Sequence, residues 1–405
     1  MNLEKNNEEG AFELTEQNKG GFFEGAFGRY VLPGVVIQST LIGGGYATGR
    51  EVVAFGGKFG AIGWITGLTI LVGFAVMAFL MFEVARLFRA YDYRSLVKQI
   101  LGPFWFLYDI IYFLLAILMI SIVVAATGSI LESTLGLNYW VGVAIIAALA
   151  GVLNFYGTRL IERFKTFGTT ALFIGYIIFG ILVISSTWGD AKEVFASGDT
   201  SFVGEVSMWT IIWTGMLYVG YNLAVYPAAL FTARRQNSLK QTLLGGLIAG
   251  VLMTVPWFLT YFSLMGFYPS EEVFTAEVPW LEMLSGYGLW VVIAFGVVVG
   301  WTLIETATGL IHAFIDRVNF NLEEVGKPQL SKGKNGLIAI IALLLSAILS
   351  SVGISGLVDI GYTVLGYAML IVYGIPMLII GSYKVIKALK GKKADTEVDN
   401  SVSGK

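Results

Sequence analysis

The stretch Val31-Leu-Pro-Gly-Val-Val-Ile-Gln-Ser-Thr-Leu-Ile-Gly-Gly-Gly-Tyr-Ala-Thr-Gly-Arg-Glu-Val52 is apolar enough to enter a bilayer but too rich in glycine to cross it as one helix. Gly43, Gly44, Gly45 and Gly49 each cost a helix about 1 kcal/mol relative to alanine, so this span is expected to unwind near its centre. A second stretch, Trp213-Thr-Gly-Met-Leu-Tyr-Val-Gly-Tyr-Asn-Leu-Ala-Val-Tyr-Pro227, is interrupted by Gly220-Tyr221-Asn222 and by Pro227. Proline removes a helical donor and clashes with the carbonyl four residues earlier. Glycine in a membrane helix also serves close packing, and either stretch alone is open to that reading. Paired interruptions, one in each half of a chain, point to an inverted-repeat transporter with its site near the bilayer midplane.

Working outward, 56% of the 405 residues are hydrophobic and only 13% charged, more apolar surface than one soluble core can hide. Helical spans are expected near residues 30–56, 61–87, 104–130, 140–156 and 166–187, then 208–231, 241–266, 287–315, 336–351 and 356–382. These make two sets of five. With the amino terminus on the inside, every Lys and Arg except Arg50, Lys58 and Lys192 falls in an inside segment. That bias predicts a multi-pass protein of the cytoplasmic membrane with both termini in the cytoplasm. The expected organisation is a tail (1–28), a first repeat (29–187), an external loop (188–206), a second repeat (207–383) and a basic tail (384–405). Lys384 to Lys393 are read as a topological anchor in that solvated tail. No cleavable signal peptide is apparent at the acidic amino terminus.

The chain has no Cys and one His, which excludes disulfides, thiolate metal sites and bis-histidine haem. No nucleophile, base and orienting group stand at useful spacing, so no catalytic residue, enzyme activity or cofactor is assigned. Gly44 to Gly49 superficially matches a phosphate-binding loop but lacks its lysine and hydroxyl and lies within a span, and nothing suggests a nucleic-acid partner.

An unwound span exposes carbonyl oxygens at the end of one half-helix and amide hydrogens at the start of the next, a pairing that suits a zwitterion. The substrate candidates are therefore Gly43, Gly44, Gly45, Tyr46, Thr48 and Gly49 in the first break, with Tyr218, Gly220, Tyr221 and Asn222 in the second. The amides of Thr48 and Gly49 are expected to take a carboxylate. Tyr46, Tyr218, Tyr221, Tyr226 and Trp213 are read either as a gate or cation-π surface or as ordinary packing.

Gly43-Gly-Gly-Tyr-Ala-Thr-Gly-Arg-Glu51 is similar to the first-helix signature of the YkvI-like amino acid permeases, and Tyr218-Val-Gly-Tyr-Asn222 resembles their sixth-helix motif. The resemblance covers nearly the whole chain. It implies membership of the amino acid, polyamine and organocation (APC) superfamily: an all-α membrane protein of about ten helices in a LeuT-like five-plus-five inverted repeat, with helices 1 and 6 discontinuous. It also implies a symporter of a small amino acid or related amine. A transporter-fold receptor that senses a nutrient without flux is the alternative.

In LeuT-like transporters two small hydroxyl residues of the eighth helix join first-helix carbonyls around sodium. Glu305-Thr306 falls at that place, so the resemblance implies an ion site at Ile42, Glu305 and Thr306, with Thr302 nearby, for sodium or, through the carboxylate, a proton. An ion pair with Arg50 and contact with a cationic substrate remain open for Glu305. An ionisable group at the bilayer centre costs on the order of 2.5–3.5 kcal/mol, so each should face protein or water. Arg50 is expected to pair with Glu51 or Glu305, with a substrate carboxylate as the alternative. Glu83 and Glu132 are expected to reach the interface, Asp109 to have a local structural partner, His312 to bond Asp316, and Asp359 to begin a helix.

Overall fold

The computed structural model describes residues 24–156 and 158–391. Among them, seven helices have the length and composition to cross a membrane. The bent pair Met208–Asn222 and Tyr226–Arg235, at 72°, makes an eighth. The shorter apolar helix Tyr139–Leu153 and the interrupted first segment occupy the other two expected places, compatible with ten. Large apolar side chains cover the outside of the bundle, with Ile348, Ile379 and Trp290 more than half exposed, as lipid contact requires.

The first segment is helical over α1 (Leu32–Leu41), α2 (Gly44–Thr48) and α3 (Arg50–Phe55). It breaks twice. Ile42 leaves the helical region (φ −74°, ψ 86°) and Gly43 is extended; Gly49 then takes a left-handed φ of 86°, where a side chain would be strained. Gly44 and Gly45, expected to be unwound, are helical. Three consecutive glycines are needed for another reason, the closeness of three different neighbours. A methyl on Gly43 would stand 3.2 Å from the Thr306 methyl, on Gly44 3.0 Å from Val123 backbone, and on Gly45 2.6 Å from the Glu51 carboxylate.

Span two is α4 (Trp64–Phe88) and span three α6 (Trp105–Leu135), joined by the amphipathic α5 (Tyr93–Leu101) with Asp92 as its cap. Span four is α7 (Tyr139–Tyr156). Span five, α8 (Thr158–Ser197), runs ten residues past the expected boundary at 187 and shortens the loop before span six. In span six, α9 (Met208–Asn222) ends and a 3₁₀ segment (Tyr226–Arg235) continues. Gly220 lies inside α9. A methyl there would meet Leu370 at 2.5 Å and the Gly366 carbonyl at 2.9 Å, so it is a packing glycine and the break falls after Asn222.

Span seven is α10 (Leu239–Met265); two short helices, α11 (Glu271–Thr275) and α12 (Pro279–Ser285), lead to span eight, α13 (Leu289–Glu324). Span nine is α14 (Lys332–Ser350), and helical structure resumes from Gly353 to Gly391 with π-helical turns. That run carries Lys384 out of the expected tail. Its ammonium donates to the Gln99 carbonyl at 2.7 Å and side chain at 2.8 Å, tying span ten to α5. Residues 1–23 of the expected amino-terminal tail and 392–405 of the basic tail lie outside the described residues.

Two buried acids show how charge is accommodated inside the bundle. Glu83 is 0% exposed: Arg86 gives it two donors at 2.9 and 2.5 Å and Thr242 of span seven a third at 2.7 Å. Asp109 has partners from two other elements, Arg317 of α13 at 3.2 Å and Arg94 of α5 at 3.8 Å. Both guanidiniums also lie on aromatic rings, Arg317 over Tyr112 at 3.4 Å and Arg94 over Trp105 at 4.0 Å.

Candidate functional site

A cavity of about 860 Å³ enters the bundle between the two broken segments. It is lined by Ile42 at the first break, by Ala224 and Val225 at the second, and by Thr302, Glu305 and Thr306 of α13. Its wall follows α13 as far as Phe320, about 27 Å at helical rise, so it opens on the side that carries Asp92, Asp316 and Arg317. Among the described residues, Arg94 lies on this side too, sharing Asp109 with Arg317.

The four residues assigned to an ion site thus share one cavity wall. The Thr302 hydroxyl donates to Val298 one turn back, which leaves its oxygen as an acceptor. The Thr306 methyl lies against Gly43. Glu305 is half-buried beside it and adds the carboxylate. The wall therefore presents oxygen ligands suited to a hard cation or a proton.

None of the ten residues assigned to substrate lines this cavity. Tyr46, Thr48, Tyr218 and Tyr221 are 0% exposed, and Gly43, Gly44, Gly45, Gly49, Gly220 and Asn222 are likewise absent from its wall. Several backbone and side-chain groups expected to face substrate are occupied within the chain. The Gly49 amide donates to the Tyr46 carbonyl at 3.0 Å, so it does not await a carboxylate. The Thr48 hydroxyl donates to Gly45, and the Asn222 amide to Tyr218 one turn back. Phenols also meet carbonyls at the breaks: Tyr176 donates to Tyr46 at 2.7 Å, beside the Gly49 amide, and Tyr108 to Leu223 and Ala224 at 3.3 and 3.4 Å.

The aromatic residues expected to cluster divide into two sets. Tyr46, Tyr218 and Tyr221 gather near Glu51. Tyr226 instead donates to the Phe74 carbonyl, and Trp213 stacks on Trp209 and donates to Tyr367. Tyr176, Tyr362 and Trp280 complete the first set and were not foreseen. Tyr362 stacks on Tyr221 at 4.1 Å, and Trp280 sits edge-on to Tyr176 at 5.7 Å. None lies near a break in sequence, so no local signal marks them.

The side opposite the cavity mouth is closed. Arg50 pairs with Asp359 at 2.8 Å and donates to the Phe274 carbonyl at 2.7 Å. Its expected partners, Glu51 and Glu305, are not the ones it has, because α3 turns its guanidinium outward while Glu51 points back to Gly45. Asp359, expected to be a helix-start residue, is the counter-charge. Trp280 of α12 seats on Gly49, where a methyl would come within 3.0 Å of its ring. His312 faces Asp316 at 3.2 Å near the cavity mouth.

Lys58 lies beside this closure, in the turn after α3. Burial pulls its ammonium below the ordinary lysine range; Asp359 opposes the shift and Arg50 adds to it. Between that lowered value and roughly pH 10.4 the unfolded chain binds more protons than the folded one, so stability rises with pH in this window. Lys58→Met is expected to flatten that rise in thermal melts collected across it; an unchanged slope would assign the proton to another group.

No protein-family model matches the chain. It is 23% identical over 366 residues to the uncharacterized membrane protein YkvI of Bacillus subtilis, covering 89% of this chain and 96% of that protein. Among solved structures it is similar to the inward-facing conformation of Mhp1, with a TM-score of 0.56, 15% identity, and coverage of 85% of this chain and 75% of the other. A manganese transporter mutant of Eremococcus coleocola gives 0.53 at 15% identity, covering 87% and 78%. A Na⁺-coupled sialic acid symporter in a substrate-bound outward-open state gives 0.51 at 16% identity, covering 89% and 86%. By sequence the chain is similar to YkvI, and its fold is the LeuT-like fold of these solved structures.

Proposed function

We propose that this chain is a secondary active transporter carrying a small amino acid or related amine across the cytoplasmic membrane by alternating access, coupled to sodium or protons. The observation that supports this most is the cavity: it is open on one side and closed on the other by Arg50, Asp359 and Trp280, and it ends at the first break beside Ile42, Thr302, Glu305 and Thr306. With both termini in the cytoplasm, this is an inward-open state. The solved relatives include two transporters by title, one of them Na⁺-coupled. A coupling ion held by Glu305 against the first-span backbone would stabilise one arrangement of α1 and α2, and ion and substrate would then load together.

The test is uptake in proteoliposomes with imposed sodium or proton gradients. Glu305→Gln is expected to abolish gradient-driven accumulation while the protein stays folded and monodisperse. Normal concentrative uptake by that variant would remove Glu305 from coupling. Indifference of the wild type to both gradients would remove coupling itself. Because the chain contains no Cys, a single Ala228→Cys on the exposed cavity wall reports access directly. Its labelling by a water-soluble maleimide is expected from the cytoplasmic side and to slow when substrate is added.

A further inference from the structure

Three acids are buried among the described residues, and two of them have guanidinium partners: Glu83 has Arg86, and Asp109 has Arg317 and Arg94. Glu51 is the third. It is 3% exposed, no ion pair among the described residues includes it, and the adjacent cation, Arg50, is turned away onto Asp359. One of its oxygens accepts the Tyr221 hydroxyl at 2.6 Å, and the other lies against Gly45 in the first turn of α2. The Tyr46 amide and the Tyr218 hydroxyl face the same group.

A carboxylate buried without a counter-charge is unfavourable in a low-dielectric bundle, and such a group neutralises by taking up a proton. The seat suits the neutral acid. A protonated carboxyl needs an acceptor, and the Tyr218 hydroxyl, 0% exposed and without a partner in hydrogen-bond geometry, has its lone pairs to offer, while Tyr221 donates to the other oxygen.

The titratable groups around the acid are phenols: Tyr46 from α2, Tyr176 from α8, Tyr218 and Tyr221 from α9, and Tyr362 from span ten. Phenols ionise only near about pH 10 even in water. The groups that α6, α10 and α12 bring to these turns do not titrate: Val123 against Gly44, the Met253 carbonyl on the Tyr46 hydroxyl, and Trp280 on Gly49. Arg50, Asp359 and Lys58 interact with one another at the closure, and Glu305 stands on the cavity wall across the Gly43 to Gly45 turn. Glu51 is therefore the group of this cluster whose charge changes below the phenol range.

The half-helix that carries the acid also closes the protein. α3 starts at the left-handed Gly49 beneath Trp280; its first residue, Arg50, bonds Asp359, and its second, Glu51, bonds Tyr221, which stacks on Tyr362 of span ten. Docking of α3 thus buries the acid in the movement that forms the closure. Opening of that side, as alternating access requires, returns the acid to water, where a carboxyl is ionised at neutral pH.

We propose that Glu51 is a proton-binding site that governs this closure: the carboxylate takes a proton from water while α3 stands open, and the neutral acid is the form that seats against Gly45 and Tyr221 as Arg50 reaches Asp359. The ligand is a proton, so the seat needs no cavity. The inference rests on the transport reading for the opening of α3, and it gives Glu51 a role separate from that of Glu305.

Two readouts on the full-length protein test it. In infrared difference spectra of wild type against Glu51→Gln at neutral pH, a protonated-carboxyl C=O band is expected in the wild type and absent from the variant. In the Ala228→Cys background, maleimide labelling in proteoliposomes follows the opening of the cavity, and the same cysteine combined with Glu51→Gln cancels the thiol's own titration. The ratio of wild-type to Glu51→Gln labelling is expected to fall at least threefold from mildly acidic to mildly alkaline pH. Should Glu51→Gln fail to fold, Tyr221→Phe replaces it in the infrared, where loss of the phenol's hydrogen bond is expected to shift the band, and free cysteine replaces it as the labelling reference. No band, an unshifted band in Tyr221→Phe, or a ratio independent of pH overturns the inference. Gradient-driven uptake with a pH-independent ratio overturns it and leaves transport standing. A pH-dependent ratio with no flux of any amino acid or amine sustains the proton site and overturns the transport reading.

Discussion

Asp109→Ala is expected to destabilise the protein by roughly 3–5 kcal/mol, the cost of breaking a buried ion pair from one side. Arg94 and Arg317 are 2% and 8% exposed, and Asp109 is the anion placed between them. Its loss removes the carboxylate that both guanidiniums share in the bundle, and the rings of Tyr93, Tyr112 and Trp105 compensate only in part. The contact also joins three elements, α5, α6 and α13, so the damage is not local. Thermal melts in detergent should show a large drop for Asp109→Ala and a smaller one for Asp109→Asn, which keeps an acceptor. A loss under about 1 kcal/mol for Asp109→Ala would mean that water or lipid headgroups replace the carboxylate.

Gly45→Ala is expected to reduce uptake at least tenfold while costing stability only about 1–3 kcal/mol, the range for overpacking. The added methyl would meet the Glu51 carboxylate at 2.6 Å and its Cγ at 3.0 Å, so the acid must leave its seat. The Tyr221 hydroxyl then loses its acceptor inside the bundle. Gly43→Ala is the control. Its methyl meets a Thr306 methyl at 3.2 Å, which a side-chain shift of a few tenths of an ångström relieves, and its effect on uptake should be several-fold smaller. Equal loss in both variants would assign the defect to the break as a whole and not to Glu51.

The expectations from sequence succeeded where the governing physics is local. Hydropathy and charge mark each span independently of its neighbours, and the two interrupted segments were legible because glycine and proline disturb a helix at their own positions. Even there the detail differs. Gly44, Gly45 and Gly220 were read as weak points in a helix, yet each lies in one and is small because another group comes close. Composition registers that a position is glycine; it does not register what stands within 3 Å of it.

The candidate site follows the same division. That Arg50, Glu51, Asp109 and Glu305 needed partners was evident, since burying a charge alone is costly at any place in a bilayer. Which partners they have was not. Arg50 meets a residue 309 positions away and Glu51 one 170 positions away, while the two neighbours in sequence point in different directions. The chain's local chemistry therefore establishes a membrane bundle with two broken spans and buried charges that must be compensated. Only the packing of the spans establishes that the closed side of the cavity belongs to Arg50 and Asp359 and that Glu51 turns to Tyr221, because a charge takes its partner from whatever helix the fold brings within reach.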